Sequence, residues 1–282
     1  MSLLHPSIPT SEIPRPSRCS PSSFIRLSFG IHIAAVLLIV IAPALWPWAV
    51  GALIANHLCI TAAVLCPCSQ LLGANITRLP ASCARRGEVA LTCDDGPDPV
   101  LTPLVLDLLD RHGAKASFFC IGERAARYPD LMREIVRRGH SVENHSDRHS
   151  FAFACFGLGK IRREILSAQA RIEAATGQSP LYFRAPMGFR NPMLDPVLCR
   201  LGLRYVSWNR RCFDTIDGDA DRSLRRLTDR LGAGDVLLLH DGISARTPDG
   251  RPVILVVLPA LLDSLTRRNL KAVSLRMALG DQ

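Results

Sequence analysis

The chain has 282 residues, 48% of them hydrophobic and 21% charged, with a formal net charge of +9. Such a composition can bury a core, and it excludes disordered, collagen-like, coiled-coil and small disulfide-stapled classes. Its mean hydropathy of +0.17 is high for a purely soluble protein, and the excess is local: residues 27–77 contain no Asp, Glu, Lys or Arg.

One bilayer crossing takes about 20 apolar residues, so this stretch accommodates two. Leu27–Leu45 reads as a first helix and Ala52–Leu72 as a second. Pro47 and Gly51 suit the turn between them, with Trp46 and Trp48 at the far interface. A cleavable signal would have an apolar core of about 7–15 residues followed by a small-residue site. Here the apolar character continues, which favours a helical hairpin anchor. Arg15, Arg18 and Arg26 precede it, and Arg78, Arg85 and Arg86 follow it. Arginines near membrane ends stay cytoplasmic, so the rest of the chain is expected to face the cytoplasm. The expected organisation is a polar segment over 1–26, a membrane anchor over 27–73, a linker over 74–86 and one folded domain over 87–282.

After Arg86 the pattern alternates. Short apolar or β-branched runs at 88–93, 115–121, 140–144, 181–185, 204–208, 236–240 and 271–275 read as strands. Between them lie helical stripes, among them Leu101, Leu104, Val105 and Leu108, and Ile161, Ile165, Ala168 and Ile172. Strand–helix alternation predicts a parallel sheet with helices outside. Seven strands over about 200 residues predict an α/β fold, an incomplete (β/α) barrel of about seven parallel strands, slightly short of the usual eight. Ten cysteines are present. Cys93, Cys120, Cys199 and Cys212 fall in or beside predicted elements and are expected to be reduced core thiols. Basic residues alternate with acidic ones along helices, so a lipid bilayer is an expected partner and nucleic acid is not.

In a parallel barrel, functional groups collect after the C-terminal ends of strands. Strand one is followed by Asp94-Asp95-Gly96-Pro97, strand three by His145-Ser146-Asp147-Arg148-His149, and strand four by Arg184-Ala185-Pro186-Met187-Gly188. Strand five leads through Trp208 to Asp214, and strand six ends in Leu238-Leu239-His240-Asp241-Gly242. His145 and His149, four apart, form with one carboxylate a three-ligand metal site with open positions. A divalent ion there acidifies bound water and polarises a carbonyl. Of the paired Asp94 and Asp95, one can hold metal while the other takes a proton, and Asp98 is left to cap the next helix. His240 has the pKa range of an acid for a leaving group. Arg184 either clamps a carboxylate or makes a rim ion pair.

These segments resemble the NodB-type polysaccharide deacetylases, a family of metal-dependent carbohydrate esterases. Thr92–Pro97 (TCDDGP) is similar to that family's TFDDGP, with Cys93 in place of Phe. His145–Ser150 matches its H-S/T-x-x-H motif, Arg184–Gly188 its R-x-P-x-G, and Leu237–Gly242 its terminal L-x-H-D element. The resemblance implies a distorted (β/α) barrel and metal-dependent hydrolysis of an N-acetyl or similar acyl group on an amino sugar. By position it implies Asp94 as general base, Asp95, His145 and His149 as metal ligands, and His240 as general acid. Arg184 would orient Asp94, Asp214 would tune His240, and Pro186, Gly188, Trp208 and Leu238 would line the substrate site. Zinc is the default ion, with manganese, cobalt or nickel fitting similarly.

One motif departs from the family: Arg211 stands at an earlier acidic position after Trp208, and Thr215 replaces an aromatic residue. That departure counts against a long polymeric glycan. Anchoring favours a lipid-linked sugar instead, on a multi-pass protein of the bacterial inner-membrane type. Two other classes would share these residues: a non-catalytic, membrane-tethered carbohydrate-binding barrel and a non-haem iron oxygenase.

Overall fold

The computed structural model describes residues 20–280. Arg15, Arg18 and most of the expected polar segment lie outside the described residues. Two apolar helices come first, α1 (Ser23–Ile41) and α2 (Trp46–Leu65), joined by a 3-10 turn at Pro43–Leu45. The turn therefore precedes Pro47 and Gly51. Pro47 sits in the first turn of α2, where its missing N–H has no partner to lose, and Gly51 lies inside the helix. Helix α2 stops at Leu65 because Pro67 disfavours the helical conformation at Cys66, which is extended (φ −101°, ψ 98°).

The two helices pack on each other, and Asn56 Nδ2 donates to Ser28 Oγ at 2.8 Å across the contact. Interhelical polar bonds of this kind hold apolar helices together. Their other faces are uncovered: Leu37, Val40, Ile54 and Leu58 are all exposed. A core helix of a soluble domain would have those faces buried. The 19 residues of α1 span about 28 Å at about 1.5 Å per residue, close to the hydrocarbon thickness of a bilayer.

The remaining elements alternate. They are α3 (Ala81–Arg85), β1 (Glu88–Asp94), α4 (Leu101–Arg111), β2 (Ser117–Cys120), α5 (Gly122–Arg127), α6 (Pro129–Arg137) and β3 (Ser141–Asn144). After these come α7 (Leu158–Thr176), β4 (Tyr182–Phe183), α8 (Leu194–Arg200), β5 (Arg204–Tyr205) and β6 (Arg210–Arg211). The last are α9 (Ala220–Thr228), β7 (Val236–His240), α10 (Val253–Arg267), β8 (Lys271–Val273) and α11 (Leu275–Leu279). The strands run in the order β5-β4-β3-β2-β1-β7-β6, with β8 also pairing β1, and every pairing is parallel.

All seven expected strands are present, and the distorted (β/α) barrel is the observed fold. The added strand, β6, continues the chain run that begins with β5. The first half of that run (204–211) pairs with β4 and the second with β7, so the sheet curls back on itself. Residues 76–79 fill the seam where the halves splay. Ile76 N–H donates to Tyr205 O at 3.0 Å, Ser207 N–H to Ile76 O at 3.0 Å, and Leu79 N–H to Gly234 O at 2.8 Å.

Just upstream, Arg190 donates to the carbonyls of Ser69 (2.6 Å), Gly73 (3.0 Å) and Ala74 (3.1 Å). Cys68 Sγ donates to Trp208 O at 3.0 Å, and Ser207 Oγ to Asn75 Oδ1 at 2.9 Å. The hairpin thus meets the barrel through a packed loop.

Alternation along the strands divides the core in two, as a pleated strand must. Leu91, Cys93, Phe118, Leu237 and Leu239 face the outer helices, while Ala90, Phe119, Tyr182, Val206 and Leu238 fill the barrel. Cys93, Cys120 and Cys212 are buried free thiols. Cys199 is not: it is disulfide-bonded, contrary to expectation. It is only half-buried on α8.

Candidate active site

The site is built where the strands end. Asp94 is the last residue of β1, and Asp95 follows in the left-handed conformation (φ 70°). That reversal turns the two neighbouring carboxyls toward one space, which an extended chain could not do. Gly242 is required beside it, because a Cβ there would lie 2.0 Å from Asp95 O. Asp98 Oδ1 accepts the N–H groups of Val100 (2.9 Å) and Leu101 (2.8 Å), the capping task expected of it.

Arg184 is completely buried and spends its guanidinium on four acceptors. Nη1 donates to Asp94 Oδ1 (2.6 Å) and Thr92 Oγ1 (2.9 Å), Nη2 to Ser207 O (3.0 Å), and Nε to Val206 O (3.2 Å). Its plane also lies 4.1 Å from the Phe119 ring centroid. Of the two readings open from sequence, the structure has the carboxylate clamp, and it lies inside the barrel.

His145 and His149 reach the same place from the loop after β3. His145 Nδ1 lies 2.9 Å from Arg184 O, an acceptor only, so this nitrogen carries a proton and in the neutral ring Nε2 has the lone pair. Burial opposes a charged His145, but Asp94 and Asp95 prevail and raise its pKa. Its Nε2 is 3.4 Å from Asp95 Oδ1, and that of His149 is 3.1 Å from the same oxygen. One donor atom from each of Asp95, His145 and His149 lies within 4.8 Å of the others.

Burial disfavours a charged Asp95, yet the neighbouring imidazoles outweigh it and hold the carboxyl well below its ordinary range. His149 is pushed down to about 4 by burial and by His145, which keeps it in the neutral form that binds metal. Asp95 Oδ1 is buried and accepts no hydrogen bond. An anionic oxygen so placed, facing two imidazole nitrogens, fits a divalent cation and is costly without one.

His240, at the end of β7, approaches from the opposite side. Asp214 accepts both its Nδ1–H (2.7 Å) and its backbone N–H (2.9 Å), so Nε2 is the free nitrogen. Burial works against a charged His240, but Asp214 prevails and raises its pKa. Trp208 is buried beneath the Pro186–Gly188 turn, and Leu238 lies with it in the interior cluster. Gly188 has φ +73°, and a Cβ on it would fall 2.4 Å from the Trp208 ring, so the turn closes on the indole only because the residue is glycine. Arg211 lies over two rings, 4.6 Å from the centroid of Phe213 and 5.6 Å from that of Trp208.

Two supporting residues have no role assigned from the sequence, Arg124 and the Asp241 of the terminal motif. Arg124 Nη1 bridges Asp95 O (2.9 Å) and Gly242 O (3.2 Å), tying the first and last motifs together. Asp241 is fully buried against Thr102 and the Asp95–Pro97 turn. Burial pushes its pKa up to about 7, with Thr102 opposing and Asp95 and Asp94 adding to the rise.

The sequence profile described as polysaccharide deacetylase matches residues 81–206. A peptidoglycan-N-acetylglucosamine deacetylase of Bacillus cereus is 34% identical over 161 residues, which cover 56% of this chain and 75% of that protein. A chitooligosaccharide deacetylase of Bradyrhizobium is 36% identical over 155 residues, covering 55% of this chain and 70% of that one. Among solved structures, a family 4 carbohydrate esterase from Streptomyces lividans in complex with acetate superposes with a TM-score of 0.60 at 33% identity. That match covers 66% of this chain and 91% of the other. By these matches, and with the four motifs gathered at one end of a shared barrel, the chain belongs to the polysaccharide deacetylase family.

Proposed function

We propose that the protein is a divalent-metal-dependent hydrolase that removes an N-acetyl group from an amino sugar. The observation that carries this reading is the convergence of two imidazoles on the orphaned Asp95 oxygen, with Asp94 and His240 flanking it. Asp95, His145 and His149 would hold the ion, zinc by preference for this donor set. When bound, it would polarise the acyl carbonyl and make the attacking water more acidic.

The chain's own residues supply the proton transfers. Arg184 engages Oδ1 of Asp94, which leaves Oδ2, 3.8 Å from His145 Nε2, to take the proton of water as its oxygen adds to the acyl carbon. His240, with Nδ1 tied to Asp214, donates a proton from Nε2 to nitrogen as the C–N bond breaks. Acetate and a free amine leave. The Pro186–Gly188 turn, Trp208 and Leu238 would bound the pocket for the acyl methyl. An iron oxygenase gives Asp94 and His240 no task, and a binding-only barrel gives none to their proton-transfer geometry.

On this reading α1 and α2 anchor the enzyme, and the substrate is a saccharide carried on a lipid. Arg26, Arg78, Arg85 and Arg86 favour a cytoplasmic barrel. An outward-facing barrel is favoured by the disulfide at Cys199, since cystines persist in oxidising compartments. Alkaline phosphatase fused after Arg86 is inactive in the first orientation and active in the second. The activity is tested by acetate release from N-acetylated soluble and lipid-linked saccharides, with detergent-purified protein and added zinc or cobalt. Release abolished by both Asp94→Asn and His145→Ala is the expected result. Release that survives either change would refute the assignment.

A further inference from the structure

We propose that the rim on which the active site opens is itself a membrane-docking surface, holding the barrel mouth against the interfacial layer of the lipid bilayer. The inference rests on the reading of α1 and α2 as a bilayer anchor and adds to it an orientation of the catalytic domain.

The first observation is where exposed apolar side chains fall on the barrel. Phe151, Met187, Met193, Phe213, Ile216 and Ile243 are all exposed, from 37% for Phe213 to 83% for Phe151. They belong to four connections, those leaving β3, β4, β6 and β7, and every one of these departs from the edge that carries the site. Phe151 stands 6.4 Å from the His149 ring, Met187 lies within the Pro186–Gly188 turn, and Ile243 follows Gly242 directly. The opposite edge, where chains run into the strands, is different. Its exposed large apolar residue is Met277, beside Gly139 and Gln178 ahead of β3 and β4.

Single exposed apolar side chains need no explanation, whereas a collar of them marks an interaction surface. Its composition selects the partner. A glycan groove stacks sugar rings on flat aromatic faces, but four of these six residues are Met or Ile. Flexible aliphatic side chains suit acyl chains at the headgroup boundary.

The second observation is where the hairpin joins. The loop 66–75 is gripped by Arg190, which lies on the β4 connection between Met187 and Met193, and by Ser207 and Trp208 just beyond β5. The beginning of α1 rests on that loop. Ser22 Oγ donates to Leu71 O at 2.6 Å, and Ile25 and Ala63 pack with Leu72. Helices lodged in a bilayer therefore draw this rim toward lipid, and exposed Leu71 continues the apolar surface from hairpin to barrel. The site would then accept an amphiphile whose amino sugar lies in the plane of the interface.

The test uses the full chain in phosphatidylcholine–phosphatidylglycerol vesicles, with and without dibrominated acyl chains that quench tryptophan on contact. Ile216→Trp and Ile243→Trp report from the rim and Met277→Trp from the opposite edge, after subtraction of the parent protein's emission. The proposal expects the added emission of both rim variants to be lost in brominated vesicles and that of Met277→Trp to be retained. Protein that floats with the vesicles while its rim tryptophans keep their emission would overturn the docking surface and leave the anchor standing. Protein that does not float would overturn both.

Discussion

Arg184→Met keeps the aliphatic stem of a completely buried side chain and deletes its charge and all its donors. Asp94, 4% exposed, loses the Nη1 bond at 2.6 Å and becomes a buried carboxylate without its countercharge. Breaking such a pair from one side costs about 3–5 kcal/mol. Val206 O and Ser207 O also lose donors at 3.2 and 3.0 Å, and a stranded buried acceptor costs about 1–3 kcal/mol. The total, at least about 5 kcal/mol, reaches the lower end of the whole stability of a domain of about 5–15 kcal/mol. Urea unfolding followed by circular dichroism on detergent-solubilised protein measures it, with Asp94→Asn and the double variant completing a cycle. Asp94→Asn should destabilise the parent protein and relieve Arg184→Met, with a coupling of about 2–3 kcal/mol. Single-variant costs that add to within about 0.5 kcal/mol would refute the argument that these groups support one another.

Removing Asp214 should change acidity before it changes shape. Asp214 raises the His240 pKa against the opposing effect of burial, and in the proposed mechanism His240 must be protonated to act as the acid. In Asp214→Asn the alkaline limb of kcat/KM therefore moves to lower pH; an unmoved limb would remove His240 from that role. His149→Ala or His145→Ala should weaken zinc binding at least about tenfold by titration calorimetry, as losing a ligand does more than losing its outer-shell partner. Unchanged affinity in either variant would place the metal elsewhere. Gly188→Ala should lower kcat/KM and thermal stability together, since its Cβ would meet the Trp208 ring at 2.4 Å; normal values for both would show that the turn has room.

Much of the site could be read from the chain because each group follows a strand, and a parallel barrel brings strand ends together whatever their separation in sequence. Asp94, His145, Arg184 and His240 meet for that reason. What escaped notice depends on contacts with no local signature. Arg124 is one of two arginines on α5 until it is seen bonding the carbonyls of Asp95 and Gly242. Asp241 acquires its burial only because Thr102 and Gly96 close over it. The hairpin turn lies ahead of its expected place for a different reason. Proline signals a break in either direction, and Pro47 opens a helix where a turn had been expected. Strand β6 left no signal either, because it contributes only two paired residues, Arg210 and Arg211, and neither is apolar.

The strand-like passage of Ile76 to Leu79 along the barrel seam bears on how this protein can be divided. A catalytic fragment cut to begin at Glu88 would leave Tyr205 O, Ser207 N–H and Gly234 O without the partners they have now. Bared backbone of that kind invites another chain to pair with it. The enzyme released from its membrane segment by such a cut would be less a soluble version of itself than a sticky one, and a cut ahead of Asn75 would spare it.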